Sequence, residues 1–149
     1  MKRKTKRRLG RGAKSRAATA FREAAHAVAR LHAGRRIAPG ERPKQRAWDG
    51  LLCSLAGPYA EGLISRRPLE QVLRTRGRDD LEDTIHAMAW LVSRGHAVSP
   101  RSVYERAHVI TLGFLMMRWE AITRVASALH LRGRLTARQV RTLARVPGT

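Results

Sequence analysis

Acids are scarce in this chain of 149 residues. Eleven Asp and Glu stand against 31 Lys and Arg, a formal net charge of +20. Most of the bases therefore have no carboxylate to meet, and an acidic, cation-collecting surface is excluded. Cysteine is almost missing too. The lone Cys53 cannot form an internal disulfide, and no cysteine-based zinc site is possible. Aromatic residues make up only 5%. Trp48, Trp90 and Trp119 sit among Leu, Met and Val at helical spacing, which assigns them to a core rather than to a platform for stacking bases. No long apolar run exists. The longest, residues 109–117, is broken by Thr111 and Gly113 and falls short of the ~20 residues that cross a bilayer. The basic N-terminus has no apolar stretch of the secretory kind, so a cytoplasmic, membrane-free protein is expected. Alternation of the strand type is absent throughout. What is present is 43% hydrophobic residues, enough for one real core, so full disorder is ruled out.

The charge is uneven. Residues 2–16 hold nine bases and no acid: Lys2, Arg3, Lys4, Lys6, Arg7, Arg8, Arg11, Lys14 and Arg16. Like charges repel and few apolar residues accompany them, so residues 1–16 are expected to be a tail that is disordered in isolation. Such a tail neutralises phosphates and releases counterions, which suits nucleic acid or another polyanion without sequence selection. The body keeps 22 bases against 11 acids. Further clusters are Arg35-Arg36, Arg66-Arg67, Arg74, Arg76 and Arg78, and the set Arg132, Arg134, Arg138, Arg141 and Arg145. The stretch Gly10 to Ser15 looks like a fragment of a phosphate loop, but it lacks Gly directly before Lys14 and a strand before Gly10, so no ATP site is expected.

Helical spacing organises residues 17–146 as one all-α domain of about five helices. The first spans 17–33, with Phe21, Ala24, Val28 and Leu31 on one face. The second spans 47–65, with Pro58 inside it. A charged loop is expected over 66–78. The third helix, 79–94, has acids in its first turn and a core stripe of Leu81, Ile85, Met88 and Val92. The fourth starts at Ser99-Pro100 and runs to Leu131. Its apolar residues lie on more than one side, so Phe114, Met116 and Met117 are expected in the core. A capping box, Thr136 to Gln139, opens a last short helix through Ala144.

One segment raises the question of chemistry. Phe21-Arg22-Glu23-Ala24-Ala25-His26-Ala27-Val28 is one residue from H-E-x-x-H, in which two histidines at i and i+4 bind zinc and the glutamate acts as general base on zinc-bound water. Three further blocks follow in order: Leu55-Ala-Gly-Pro-Tyr-Ala-Glu61, Asp79-Asp80-Leu81-Glu82-Asp83-Thr84, and Trp119 to Val140. In these four blocks the sequence resembles the peptidase domain of the FtsH-type ATP-dependent zinc metalloproteases, and especially small stand-alone relatives of that domain. The resemblance spans most of residues 20–144. It implies a zincin-type helical domain without the ATPase module.

Carried over position by position, the resemblance puts His26 on the second zinc-binding histidine, Asp80 on the third ligand and Glu23 on the general base. Arg22 falls on the first histidine. A guanidinium stays protonated and offers zinc no lone pair. Ala25 replaces a glycine of the family. Only residues 34–46 are available where the family has a longer substrate-holding stretch. These departures imply a catalytically impaired domain without a cofactor, acting by binding a partner. Arg22 is expected to fill the space of the metal and pair with Asp80, with Glu23 as a further partner. Two alternatives stand beside this reading: an active atypical zinc metallopeptidase using Glu23, His26 and Asp80, and a non-specific nucleic-acid-binding protein. His32, His86, His96, His108 and His130 are scattered over the helices and suggest no second ligand set.

Overall fold

The computed structural model of the chain describes residues 2–35, 37–75 and 78–145, without the side chains of residues 2–15 and 78. Six α-helices follow one another: α1 (Lys2–Ala33), α2 (Arg42–Ser65), α3 (Leu69–Thr75), α4 (Arg78–Ser93), α5 (Pro100–Arg132) and α6 (Ala137–Ala144), with a 3-10 turn at Pro39–Glu41 before α2. No strand occurs among the described residues. The all-α class expected from the sequence is observed.

Helix α2 lies at the centre and packs against α1, α3, α4 and α5. Its buried face, including Leu51, Leu55, Ala56, Gly57 and Ala60, meets a core completed by Val28, Leu91, Val103, Leu115, Ile122 and Val125. Each fully buried Leu or Ile contributes about 1.5–3 kcal/mol of transfer free energy, so this layer is the main source of stability. Small residues let α1 come close to α2. Ala24, Ala25 and Ala29 are fully buried, and a Cβ built on Gly57 would lie only 2.3 Å from His26 Nε2.

The ends of α5 follow the sequence signals. Ser99 and Ser102 form a reciprocal capping box before Pro100, and Gly133 ends the helix at φ 75°. Thr136 and Gln139 cap α6 in the same way. At its other end α6 is clasped by α5. Arg118 Nη2 donates to the Ala144 carbonyl at 2.8 Å, and Arg124 donates to the carbonyls of Leu143 at 2.8 Å and Arg145 at 3.0 Å. Phe21 of α1 stacks on Trp119 of α5, with ring centroids 5.2 Å apart.

Several expectations need correction. Helical backbone begins at Lys2, so α1 takes in residues 2–16 and is longer than the helix expected over 17–33. Lys, Arg and Ala propagate a helix well and no proline interrupts them. The basic side chains from Lys2 to Lys14 lie outside the described residues. The expected loop 66–78 contains α3, whose Val72 and Leu73 are buried. Helix α2 stops at Arg66 in a left-handed conformation, φ 55°, where no glycine signals the end. On α4 the buried positions are Thr84 and Leu91, whereas Ile85 is exposed. On α5, Phe114 is buried as expected, but Met116 and Met117 are more than four-fifths exposed.

Candidate functional site

Residues 22 and 26 are four apart, so α1 presents Arg22 and His26 on one face. That face meets the first turn of α4, which carries Asp80. Arg22 Nη2 donates to Asp80 Oδ2 at 3.1 Å. The same carboxylate oxygen lies 3.5 Å from His26 Nε2. On its other side the Arg22 guanidinium reaches Glu61 of α2, with Nη1 3.8 Å from Oε2. One cation thus joins two acids from two helices.

The cluster is largely withdrawn from water. The side chain of Arg22 is 24% exposed, that of Asp80 15% and that of Glu61 3%. Burial pushes the Asp80 carboxyl up. Hydrogen bonding and charge from His26, and then from Arg22, outweigh this and hold it below the ordinary carboxylate value.

His26 is fixed from behind. Its Nδ1–H donates to the Cys53 carbonyl at 2.6 Å, and Gly57 of α2 makes room for the ring. A carbonyl only accepts, so Nδ1 carries a proton, and Nε2 is the atom turned toward Asp80. Beside the cluster opens a cleft of about 560 Å³ between α1, α2 and α4, lined by His26, Asp80, Arg30, Arg46, Asp83 and Trp90 among others.

The sequence-derived residues divide cleanly. Arg22, His26 and Asp80 come together. Glu23 does not join them: it is exposed and lines a second cleft with Arg16, Thr19, Leu129 and His130. The second carboxylate on Arg22 is therefore Glu61, not Glu23. Glu61 carried no assigned role in the sequence. Its signal was a charged residue in the otherwise apolar run Ala60-Glu61-Gly62-Leu63-Ile64. The Cys53 carbonyl, a main-chain group, left no mark at all.

Zinc, the metal implied by the resemblance, can be tested against this donor set. His26 Nε2 and Asp80 Oδ2 converge as two ligands would, and a histidine held through Nδ1 by a carbonyl is the usual support for such a ligand. Catalytic zinc requires three protein ligands and an open position. Among the described residues no group of three His, Cys, Asp or Glu converges. The Arg22 guanidinium is already bonded to the Asp80 oxygen that zinc would need. The residues present do not fit a catalytic zinc.

The other histidines stay dispersed. His32 packs on Phe114, His96 on Trp90, and His108 Nδ1 and the Tyr59 hydroxyl are hydrogen-bonded at 2.6 Å. Burial keeps that hydroxyl protonated far above the ordinary range. Cys53 is half-buried, and burial pushes its thiol up, away from reactive thiolate character. No helix among the described residues is long and apolar enough to cross a membrane. No protein-family model, curated protein or solved structure matches the chain.

Proposed function

We propose that this chain is a degenerate FtsH-peptidase-like helical domain in which the Arg22 guanidinium takes the place of zinc. In this reading the domain is catalytically impaired, holds no cofactor and acts by binding. Its basic N-terminal stretch contacts nucleic acid or another polyanion.

The observation that carries the reading is the contact of Arg22 Nη2 with Asp80 Oδ2 at 3.1 Å, with His26 Nε2 3.5 Å from the same oxygen. A fork of donors suits a carboxylate, and one fixed positive charge replaces another. The displaced Glu23 supports the same view, because a general base must stand within hydrogen-bond reach of the water it activates. For the polyanion contact, support comes from the nine bases of residues 2–16 and from Arg132, Arg134, Arg138, Arg141 and Arg145, all exposed around the end of α5 and α6.

Metal analysis by mass spectrometry tests the reading on protein purified without chelator. Less than a tenth of an equivalent of zinc is expected for the wild type, and unchanged thermal stability in EDTA. Arg22→His completes the three-ligand set and is expected to bind one equivalent. The rival, an active atypical zinc peptidase, draws on the orientation of His26 by the Cys53 carbonyl. Stoichiometric zinc in the wild type, with proteolysis abolished by Glu23→Gln, would establish that rival instead.

A further inference from the structure

Four large apolar side chains in the middle of α5 face water: Val109, Ile110, Met116 and Met117, at 69, 37, 82 and 86% exposure. Nothing in the metal-replacing cluster uses them. Their spacing is regular. Arg106, Val109, Gly113, Met116 and Glu120 follow steps of three and four residues, the seam of a helix that meets another helix. Gly113 is at the centre of the seam, and a Cβ added there would meet nothing within 4 Å, so the surface around it is open.

The seam is also symmetric about Gly113. Val109 and Ile110 precede it by four and three residues, and Met116 and Met117 follow it by three and four. Arg106 and Glu120 bracket the apolar stretch, each seven residues away, about 10 Å along the axis. Glu120 is exposed and makes no ion pair among the described residues. Arg106 is exposed, with its guanidinium carbon 4.7 Å from the centroid of the Trp48 ring. Such an arrangement is self-complementary. A two-fold axis through Gly113 sets Val109 against Met117 of a second copy and Ile110 against Met116, and brings each Arg106 to the other chain's Glu120.

We infer that α5 is a homodimer interface, two copies crossing antiparallel at Gly113. The glycine lets the two backbones approach, the apolar residues supply the drive, and the two symmetric Arg106–Glu120 pairs set register and direction. The high net charge is compatible with this. At physiological salt, repulsion between exposed charges fades beyond about 8 Å, and the seam places opposite charges together.

Sedimentation equilibrium on the full chain at physiological salt, from micromolar to near-millimolar concentration, tests the inference. The wild type is expected to pass from monomer to dimer. Met116→Glu with Met117→Glu is expected to keep the circular dichroism melt, since both side chains are exposed, and to remain monomeric. Arg106→Glu alone and Glu120→Arg alone each turn two attractions into repulsions and should weaken the dimer about tenfold. The double variant Arg106→Glu/Glu120→Arg restores the pairs with reversed polarity and should recover most of that loss. A wild type that stays monomeric throughout overturns the inference. So does a dimer indifferent to the charge reversals, or one that the double variant fails to rescue. Binding of the stripe to lipid vesicles by a monomeric wild type would point to a different occupant and equally refute it.

Discussion

Arg22 and Asp80 stand 58 positions apart in the chain, yet Nη2 of the one lies 3.1 Å from Oδ2 of the other. Between them runs the contact that ties α1 to α4 beside the central helix. Glu61 on α2 takes the remaining side of the same guanidinium. Three helices therefore depend on one cation.

Removing that cation takes the guanidinium away from Asp80 and from the almost fully buried Glu61. Arg22→Ala should cost about 2 kcal/mol, below the 3–5 typical of a fully buried pair because Arg22 and Asp80 keep some solvent. Arg22→Lys keeps the charge but loses the fork and should recover less than half of it. Urea denaturation measures both. An Arg22→Ala variant as stable as the wild type would show that the ion pair does not hold the helices.

Acid should find the same contact. The Asp80 carboxyl is held below its ordinary value in the fold. A depressed carboxylate contributes its full stability above the unfolded value near 4, and that contribution disappears as pH falls through the lower folded value. Stability measured against pH should drop on that acid side. In Asp80→Asn the drop should be shallower, while stability at neutral pH is lower. Equal acid slopes in the two proteins would contradict this assignment.

Gly57→Ala tests the support behind His26. The new Cβ would stand 2.3 Å from Nε2, so the ring must move, and moving it breaks the bond from Nδ1 to the Cys53 carbonyl. A loss of about 1–3 kcal/mol is expected, the usual range for overpacking. In nitrogen-detected NMR the Nδ1 resonance of His26 should lose the signature of its hydrogen bond to the carbonyl. Retention of both the stability and the hydrogen bond would mean that the ring has room to spare.

The basic N-terminal stretch should act through salt-dependent contacts. Deleting residues 1–16 should weaken binding to duplex DNA of any sequence. It should also flatten the slope of log affinity against log salt by up to about 8, the value for nine neutralised phosphates. Gel shift or fluorescence anisotropy over a salt series gives the slope. An unchanged slope would assign any polyanion binding to the exposed arginines of α5 and α6.

Much of the fold was legible because its signals are local. Ser99-Pro100 and Thr136 to Gln139 are caps, and caps are read within one turn. Helix α3 escaped because Arg66 turns the chain without the glycine that usually marks such a turn. Met116 and Met117 were misplaced because periodicity tells which residues share a face but not whether another helix covers it. The site was half legible. The spacing of Arg22 and His26 fixed their common face, and order along the chain suggested Asp80. That Glu23 lines a different cleft, beside Leu129 and His130, depends on how α5 packs along α1. Glu61 and the Cys53 carbonyl belong to α2, and no pattern within α1 can announce what another helix brings to it.

The clasp of α6 by Arg118 and Arg124 has its own consequence. Its acceptors are main-chain carbonyls of Leu143, Ala144 and Arg145, and carbonyls do not titrate. The α1–α4 contact depends on a carboxylate and weakens in acid; the α5–α6 contact does not. The molecule thus has one end that fails with acid and one that resists it. Acid unfolding should begin at the α1–α4 contact and leave the C-terminal hairpin protected longest. In a chain so short of acids, arginines spent on carbonyls give an anchorage that requires no counter-charge.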